Sequence, residues 1–390
     1  MTGPRLAIIH ALEKNRLTTG SVVQMMEAAR GLADRGHRVR VVSRPGGDLE
    51  AACAADGIGF VPLPLRNEFD LGSALAWRRL LREEPADIVH VHKGRPHSVA
   101  LLATLGLGPR PVLVVNRGVS FPLDLFNRWK YRHPRVGAVV CVAKAIRRIV
   151  IESGGLSPDR VHTIHAGTDT DRFDPARTDT HSVREELGLG PEELLVGQVS
   201  VRDWKGWREL EEAFAAVAAS HPGARLLLVG CEPEAEREKV TAAARGLGIG
   251  DRLLTLPYRT DMPEVLGACD LVVDASWAGT GITGTIREAM AMERAVVATD
   301  CAGNRELVLD GEVGLLVPQR DVSALAGALD RLLGDPELRR RLGAAARRRV
   351  LEGFSTKVRL DRLERLYHRL AGGRCPGRGR GSTRHSPPSG

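Results

Sequence analysis

The chain has 390 residues, 43% of them apolar and 27% charged, which describes a water-soluble globular protein too long for one ordinary core. No apolar run nears the roughly 18 residues of a membrane span. The net charge of +8 favours anionic partners such as nucleotides, phosphorylated acceptors or an anionic membrane face, whereas 4% aromatics and basic residues interleaved with acids argue against nucleic acid.

The N-terminal "MTGPRLAIIHALEKN" runs straight into a short strand without signal-peptide anatomy. From there short aliphatic strands alternate with amphipathic helices: "RLAIIH" (5–10), "RVRVVS" (38–43), "DIVHVH" (87–92), "PVLVVN" (111–116), "GAVVCV" (137–142) and "RVHTIH" (160–165). The polar stretch 167–186 reads as a linker, and a second series follows: "LLVGQVS" (194–200), "RLLLVG" (225–230), "RLLTLP" (252–257), "DLVVDA" (270–275), "AVVATD" (295–300) and "VGLLVP" (313–318). This alternation predicts parallel sheets covered on both faces. The expected fold is α/β, with two doubly wound, Rossmann-like domains facing a central cleft. The expected domains are 1–175 and 176–355, with a C-terminal helix over 356–373 packing back on the first. Residues 374–390, rich in Arg, Gly, Pro and Ser, read as a disordered basic tail. The six cysteines (53, 141, 231, 269, 301 and 375) form no CxxC pair and read as reduced cytosolic thiols.

In such folds ligands sit at the carboxyl ends of the strands, so motifs placed there matter most. "GTGITGTIREAMA" (279–291) contains a G-x-G-x-x-G at Gly279, Gly281 and Gly284, with Asp300 about 20 residues on, as in dinucleotide sites. Three features oppose an NAD site. The motif does not follow the first strand of its domain, "SWAG" separates it from its own strand, and the first strand-to-helix turn lacks the glycine triplet. The mechanism still applies, because glycines let backbone N–H groups approach a ligand and a helix N-terminus favours negative charge. Thr283 and Thr285 are candidate helix caps and hydroxyl contacts, and Glu288 suits the hydroxyls of a sugar or ribose.

Downstream, "REAMAMERAVVATDCAGNRELVLDGEVGLLVP" (287–318) resembles the C-terminal signature of glycosyltransferase family 4, retaining enzymes of the GT-B fold. "VGQVSVRDWKGWRELEEAFA" (196–215), "ARGLADRGHRVRVVS" (29–43), "ADIVHVH" (86–92) and "GTDTDRF" (167–173) resemble further segments of that family in order. The resemblance implies that Glu288 is the second Glu of an E-x7-E element and holds the nucleotide ribose. The first Glu falls at Thr280, a departure from the pattern. Lys205 matches the clamp lysine for the donor diphosphate, and Arg202 stands closer to it than the usual clamp arginine; the alternative for both is a solvated loop. Gly20, in "TTG" (18–20), takes the close-approach position at the first turn. His92, at the carboxyl end of its strand, is the cleft candidate over His90, which shares its face. Lys93, Arg95 and His97 are candidate contacts to a phosphorylated acceptor, and Arg117 stands where relatives carry a histidine near the donor.

The implied function is retaining transfer of a sugar from a nucleotide-diphosphate donor to a cell-envelope saccharide or lipid-linked acceptor, as in lipopolysaccharide or polysaccharide biosynthesis. It implies no cofactor and no metal. Asp169 and Asp171 form an Asp-x-Asp, the metal motif of another transferase class, but in a hinge they read as turn-forming acids. The expected location is the cytoplasm, with peripheral contact at the inner face of the membrane. The rival readings are a catalytically silent sugar-nucleotide-binding protein, given Thr280, and then an NAD-dependent oxidoreductase.

Overall fold

The computed structural model describes residues 3–17, 20–279, 281–301 and 303–372. The basic tail expected at 374–390, Cys375, Thr280, and Thr18 and Thr19 of the first turn lie outside the described residues.

The N-terminal unit runs β1 (Ala7–Ala11), α1 (Gly20–Asp34), β2 (Arg38–Ser43), α2 (Asp48–Ala55), β3 (Gly59–Pro62), α3 (Leu71–Glu83), β4 (Ile88–Val91) and α4 (Gly94–Thr104). It continues through β5 (Val112–Arg117), α5 (Leu125–Arg132), β6 (Val136–Cys141), α6 (Lys144–Gly154) and β7 (Val161–Thr163). Its seven strands are ordered β3-β2-β1-β4-β5-β6-β7, all parallel. The second unit runs α7 (His181–Glu186), β8 (Leu194–Val199), α8 (Trp207–Ala218), β9 (Ala224–Val229), α9 (Glu234–Gly246), β10 (Leu253–Leu256) and α10 (Met262–Ala268). It then adds β11 (Leu271–Asp274), α11 (Gly284–Ala291), β12 (Ala295–Thr299), α12 (Asn304–Leu307), β13 (Leu315–Val317), α13 (Val322–Gly334) and α14 (Pro336–Gly353). Its six parallel strands are ordered β10-β9-β8-β11-β12-β13. The predicted α/β class with two Rossmann-like sheets is what the chain adopts.

Because both faces of each sheet are covered, the strands are nearly continuous apolar runs, and β4, β11 and β12 are buried at every position. The exception is β3, absent from the sequence expectation. "GFVP" is an edge strand, half-exposed and bounded by Gly and Pro, so it carries little apolar signal. In each sheet the winding reverses once, between β1 and β4 and between β8 and β11. These are the switch points where a doubly wound fold opens a crevice.

The chain returns from the second unit to the first through α15 (Thr356–Gly372). Leu360, Leu363, Leu366 and Tyr367 of α15 share a core with Val22, Met25 and Ala29 of α1. The approach is close enough that a Cβ on Gly31 would lie 2.3 Å from Leu360 Cδ1. The outgoing and returning crossings run side by side: Thr168 N donates to Phe354 O (2.9 Å) and Thr356 N to Thr168 O (2.8 Å). The segment read as a linker is therefore built into the fold. Thr168 and Phe173 are buried, and His181–Glu186 is helical. Gln24 of α1 grips this seam at both ends, its amide bonded to Gly167 O (3.0 Å) and Gly167 N (3.1 Å). From the second unit Arg287 Nε donates to Thr168 Oγ1 (2.7 Å). A further clasp joins the units, since Glu306 of α12 accepts from the N-terminal amides of α6, Lys144 N (2.8 Å) and Ala145 N (3.1 Å). Its Oε2 also lies 2.9 Å from His165 Nε2, and burial is outweighed by these partners, which hold the carboxyl below its usual range.

Among the described residues the cysteines are all free and buried. Among the buried charged residues, Glu211 of α8 is 0% exposed, and neither carboxylate oxygen has a hydrogen-bond partner. Burial pushes its carboxyl from 4.5 up to about 8. The unfolded chain releases this proton first as pH rises, so wild-type stability falls between about pH 4.5 and 8. Glu211→Gln lacks this loss. By urea unfolding it should match the wild type near pH 4 and exceed it by a few kcal/mol, to order of magnitude, near pH 9.

Candidate active site

At the switch point of the second sheet, the loop after β8 meets the loop after β11. Gly206, in the left-handed region at φ +68°, makes this possible, because a Cβ there would lie 2.0 Å from Ala275 O. The tight turn before it, Asp203–Lys205, sets Lys205 over the Trp204 ring, with Nζ 4.9 Å from the ring centre. Lys205 Nζ also lies 3.1 Å from Asp274 Oδ1, with the lysine side chain 13% exposed.

Asp274 ends β11 and is 2% exposed. Its Oδ1 also accepts from Ser276 Oγ (2.7 Å), and its Oδ2 accepts from Thr283 Oγ1 (2.6 Å) and Asn304 Nδ2 (3.3 Å). Asn304 Oδ1 in turn accepts from Thr283 N (3.1 Å). Thr283 occupies the N-cap position of α11, but its hydroxyl does not cap the helix as the sequence suggested, because the buried carboxylate claims it. Above this network lies a cleft of about 760 Å³, lined by Trp204 and Lys205 on one side and Gly281–Thr285 and Glu288 on the other. The first-turn amides of α11 have no intrahelical partners and carry partial positive charge at this wall. Glu288 is one turn in and half-buried. Burial pushes its carboxyl above the usual range, against the pull of Arg287 and Arg172.

Of the residues singled out from sequence, the structure brings together Lys205, Gly281, Thr283, Gly284, Thr285 and Glu288. Arg202 does not line this cleft and is solvent-exposed on the loop. Gly20 opens α1 in the other unit. His92 corrects the expectation of a cleft-facing side chain. It is 6% exposed, stacked on His90 (ring centres 4.4 Å apart), with Nε2 3.0 Å from Nδ1 of the buried His10. His90 Nδ1 is 2.6 Å from the Tyr367 hydroxyl, so α15 roofs the cluster. Burial first, then the neighbouring rings and Arg359, hold His90 and His92 far below the ordinary imidazole range. His97 is likewise 1% exposed, edge-on to Tyr131, which leaves only Lys93 and Arg95 of that group at the surface. Arg117 closes β5 and donates to Phe121 O.

Asp300 and the Asp-x-Asp pair each have local partners. Asp300 pairs with Arg305 through Nε (2.7 Å) and a second guanidinium nitrogen, and does not line the cleft. Asp169 Oδ1 accepts from the amides of Asp171 (3.0 Å) and Arg172 (3.1 Å), a turn built on the side chain. Sequence reasoning missed Asp274, Ser276 and Asn304. Asp274 had one signal, an acid ending the apolar run "DLVVDA", and Asn304 sat unassigned inside "GNREL".

Two family models match this chain, "Glycosyltransferase Family 4" over residues 18–172 and "Glycosyl transferases group 1" over residues 190–335. Alpha-maltose-1-phosphate synthase of Mycolicibacterium smegmatis is 30% identical over 74% of this chain and 80% of its own length. The chain belongs to the family 4 glycosyltransferases. N-acetyl-alpha-D-glucosaminyl L-malate synthase of Bacillus anthracis is 26% identical over 90% of this glycosyltransferase and 93% of its own chain. UDP-Gal:alpha-D-GlcNAc-diphosphoundecaprenol alpha-1,3-galactosyltransferase of Escherichia coli is 25% identical over 79% and 82%. Among solved structures, a glycosyltransferase from Rickettsia africae superposes with a TM-score of 0.85 at 21% identity, covering 94% of this chain and 98% of that one. Anabaena HepE in complex with UDP gives 0.80 at 20% identity, covering 93% and 99%. The shared fold is GT-B.

The seating of Lys205 depends on Gly206. Gly206→Ala puts a side chain into both a left-handed conformation and the Ala275 carbonyl, and should cost about 2–4 kcal/mol. A melting temperature within 1–2 °C of wild type would show that the loop yields without strain.

Proposed function

We propose that this glycosyltransferase is a retaining enzyme that moves a sugar from a nucleoside-diphosphate donor to a cell-envelope saccharide or lipid-linked acceptor. One observation carries the reading: Lys205, the glycine-rich start of α11 and Glu288 converge on one cleft at the switch point. In this reading the diphosphate lies between Lys205 Nζ and the amides of Gly281, Ile282, Gly284 and Thr285, and Glu288 accepts from the ribose hydroxyls. The departing diphosphate gains negative charge as the sugar C1–O bond breaks, and a fixed ammonium with helix-end amides stabilises it with little reorganisation. The acceptor oxygen attacks C1 from the face the diphosphate leaves. Its proton passes to the departing phosphate oxygen, so the protein supplies positioning and charge rather than a strong base. That role needs neither a cofactor nor a metal, and neutral, buried His92 acts through packing.

The acceptor side is assigned to the first unit, where Lys93 and Arg95 are accessible. Leu125, Trp129 and Phe121 are 80%, 48% and 68% exposed beside Arg128, which suits peripheral contact with anionic lipid carrying a lipid-linked acceptor. Among the described residues no helix is long and apolar enough to cross a membrane. A second reading, a silent sugar-nucleotide-binding protein, is favoured by Thr280 at the first motif position.

The test is donor hydrolysis across UDP-, GDP- and ADP-sugars, with nucleotide binding by calorimetry. One donor should be hydrolysed, and turnover should persist in excess EDTA. Binding without turnover would select the silent protein; binding of NADH alone would overturn both readings. Lys205→Ala should lower turnover about 10²–10³-fold. Glu288→Ala should weaken donor binding by about 1.5–3 kcal/mol, the worth of a charge-assisted hydrogen bond. Unchanged affinity would remove Glu288 from the site, and loss of turnover in EDTA with rescue by manganese would remove the metal-free clamp.

A further inference from the structure

Asp274 does not line the cleft, yet its four side-chain partners, Lys205, Ser276, Thr283 and Asn304, all do. They come from four places in the chain: the turn after β8, the loop after β11, the N-cap of α11 and the start of α12. A bare carboxylate under a diphosphate site would repel the ligand and is costly to bury. Here its oxygens are taken up by one ammonium and three neutral donors. Lys205 Nζ thus bonds Asp274 Oδ1 while Lys205 lines the cleft and Asp274 does not.

Resting on the donor-site reading above, we propose that Asp274 is the positioning residue of this cleft. It aims the Lys205 ammonium and holds the start of α11 at the height where a diphosphate meets both. It touches no substrate and acts through Lys205 and Thr283. In the empty site it is also the counter-ion of Lys205, so the lysine enters the reaction already ordered. One of its donors stays on Asp274 while the others serve the ligand.

The test is a double-mutant cycle on the full chain, with UDP, GDP and ADP as calorimetric probes. Asp274→Asn keeps the shape and removes the charge, and should weaken binding of the preferred nucleoside diphosphate at least tenfold. Asp274→Asn combined with Lys205→Ala should bind within twofold of Lys205→Ala alone, because asparagine still accepts from the Thr283 hydroxyl and the lost charge acts through the lysine. A purely structural role would multiply the two losses, and that result, or unchanged affinity in Asp274→Asn, overturns the proposal. A second measurement needs no nucleotide: acetylation of Lys205 by acetic anhydride, followed by peptide mass spectrometry. It should rise at least fivefold in Asp274→Asn, and no change overturns the pairing. If the wild type binds none of the three nucleotides, the donor-site reading fails while the labelling still decides the Asp274–Lys205 link. Should Asp274→Asn fail to fold, Asp274→Ser, smaller and neutral, takes its place with the same expected results.

Discussion

The constraint behind this molecule is the reversal of winding in a parallel sheet. Where neighbouring strands send their connections in opposite directions, no helix covers the gap at their carboxyl ends, and the backbone there must find other partners. In the second unit the gap between β8 and β11 is filled by loops held on one buried carboxylate, Asp274. In the first unit the gap between β1 and β4 is filled by a cluster of three histidines under α15. One opening is thus a cleft lined by Lys205 and the start of α11, and the other holds buried, packed imidazoles.

Apolar packing of α15 on α1 joins the two units, and polar contacts fix the seam beside it. The crossings at Thr168 and Phe354–Thr356 pair through backbone hydrogen bonds, and Glu306 caps α6 from the opposite unit. Beside the seam, burial pushes Glu27 up to about 7, with Arg359 and Arg287 pulling against it. Buried charges of this kind contribute little net stability but are costly to leave unpaired. At the same seam Gly281 of the cleft wall lies against Val142 of the first unit.

Most of the sheet architecture was legible because parallel strands covered on both faces are short, nearly pure aliphatic runs. β3 was not, since an edge strand of Gly, Phe, Val and Pro need satisfy only one neighbour. The cleft wall from Gly281 to Glu288 was legible through its glycines and its place after a strand, and Lys205 through the resemblance of its segment. His92 was misjudged because period-two alternation gives the face of a strand but not what covers it, and the cover, Tyr367, arrives from the far end of the chain. Asp274 was missed for a related reason. Its partners Lys205 and Asn304 are distant in sequence and converge only once the sheet has formed. Thr283 shows local and tertiary demands competing: a cap by position, it gives its hydroxyl to the buried carboxylate.

The most direct measurement is a crystal structure with the tightest-binding of UDP, GDP and ADP. The account predicts diphosphate oxygens within hydrogen-bond reach of Lys205 Nζ and the amides of Gly281, Ile282, Gly284 or Thr285, ribose hydroxyls on Glu288, and Asp274 still bonded to Lys205 beneath them. A nucleotide seated elsewhere, against the histidine face of the first unit or with its phosphates away from α11, would contradict it.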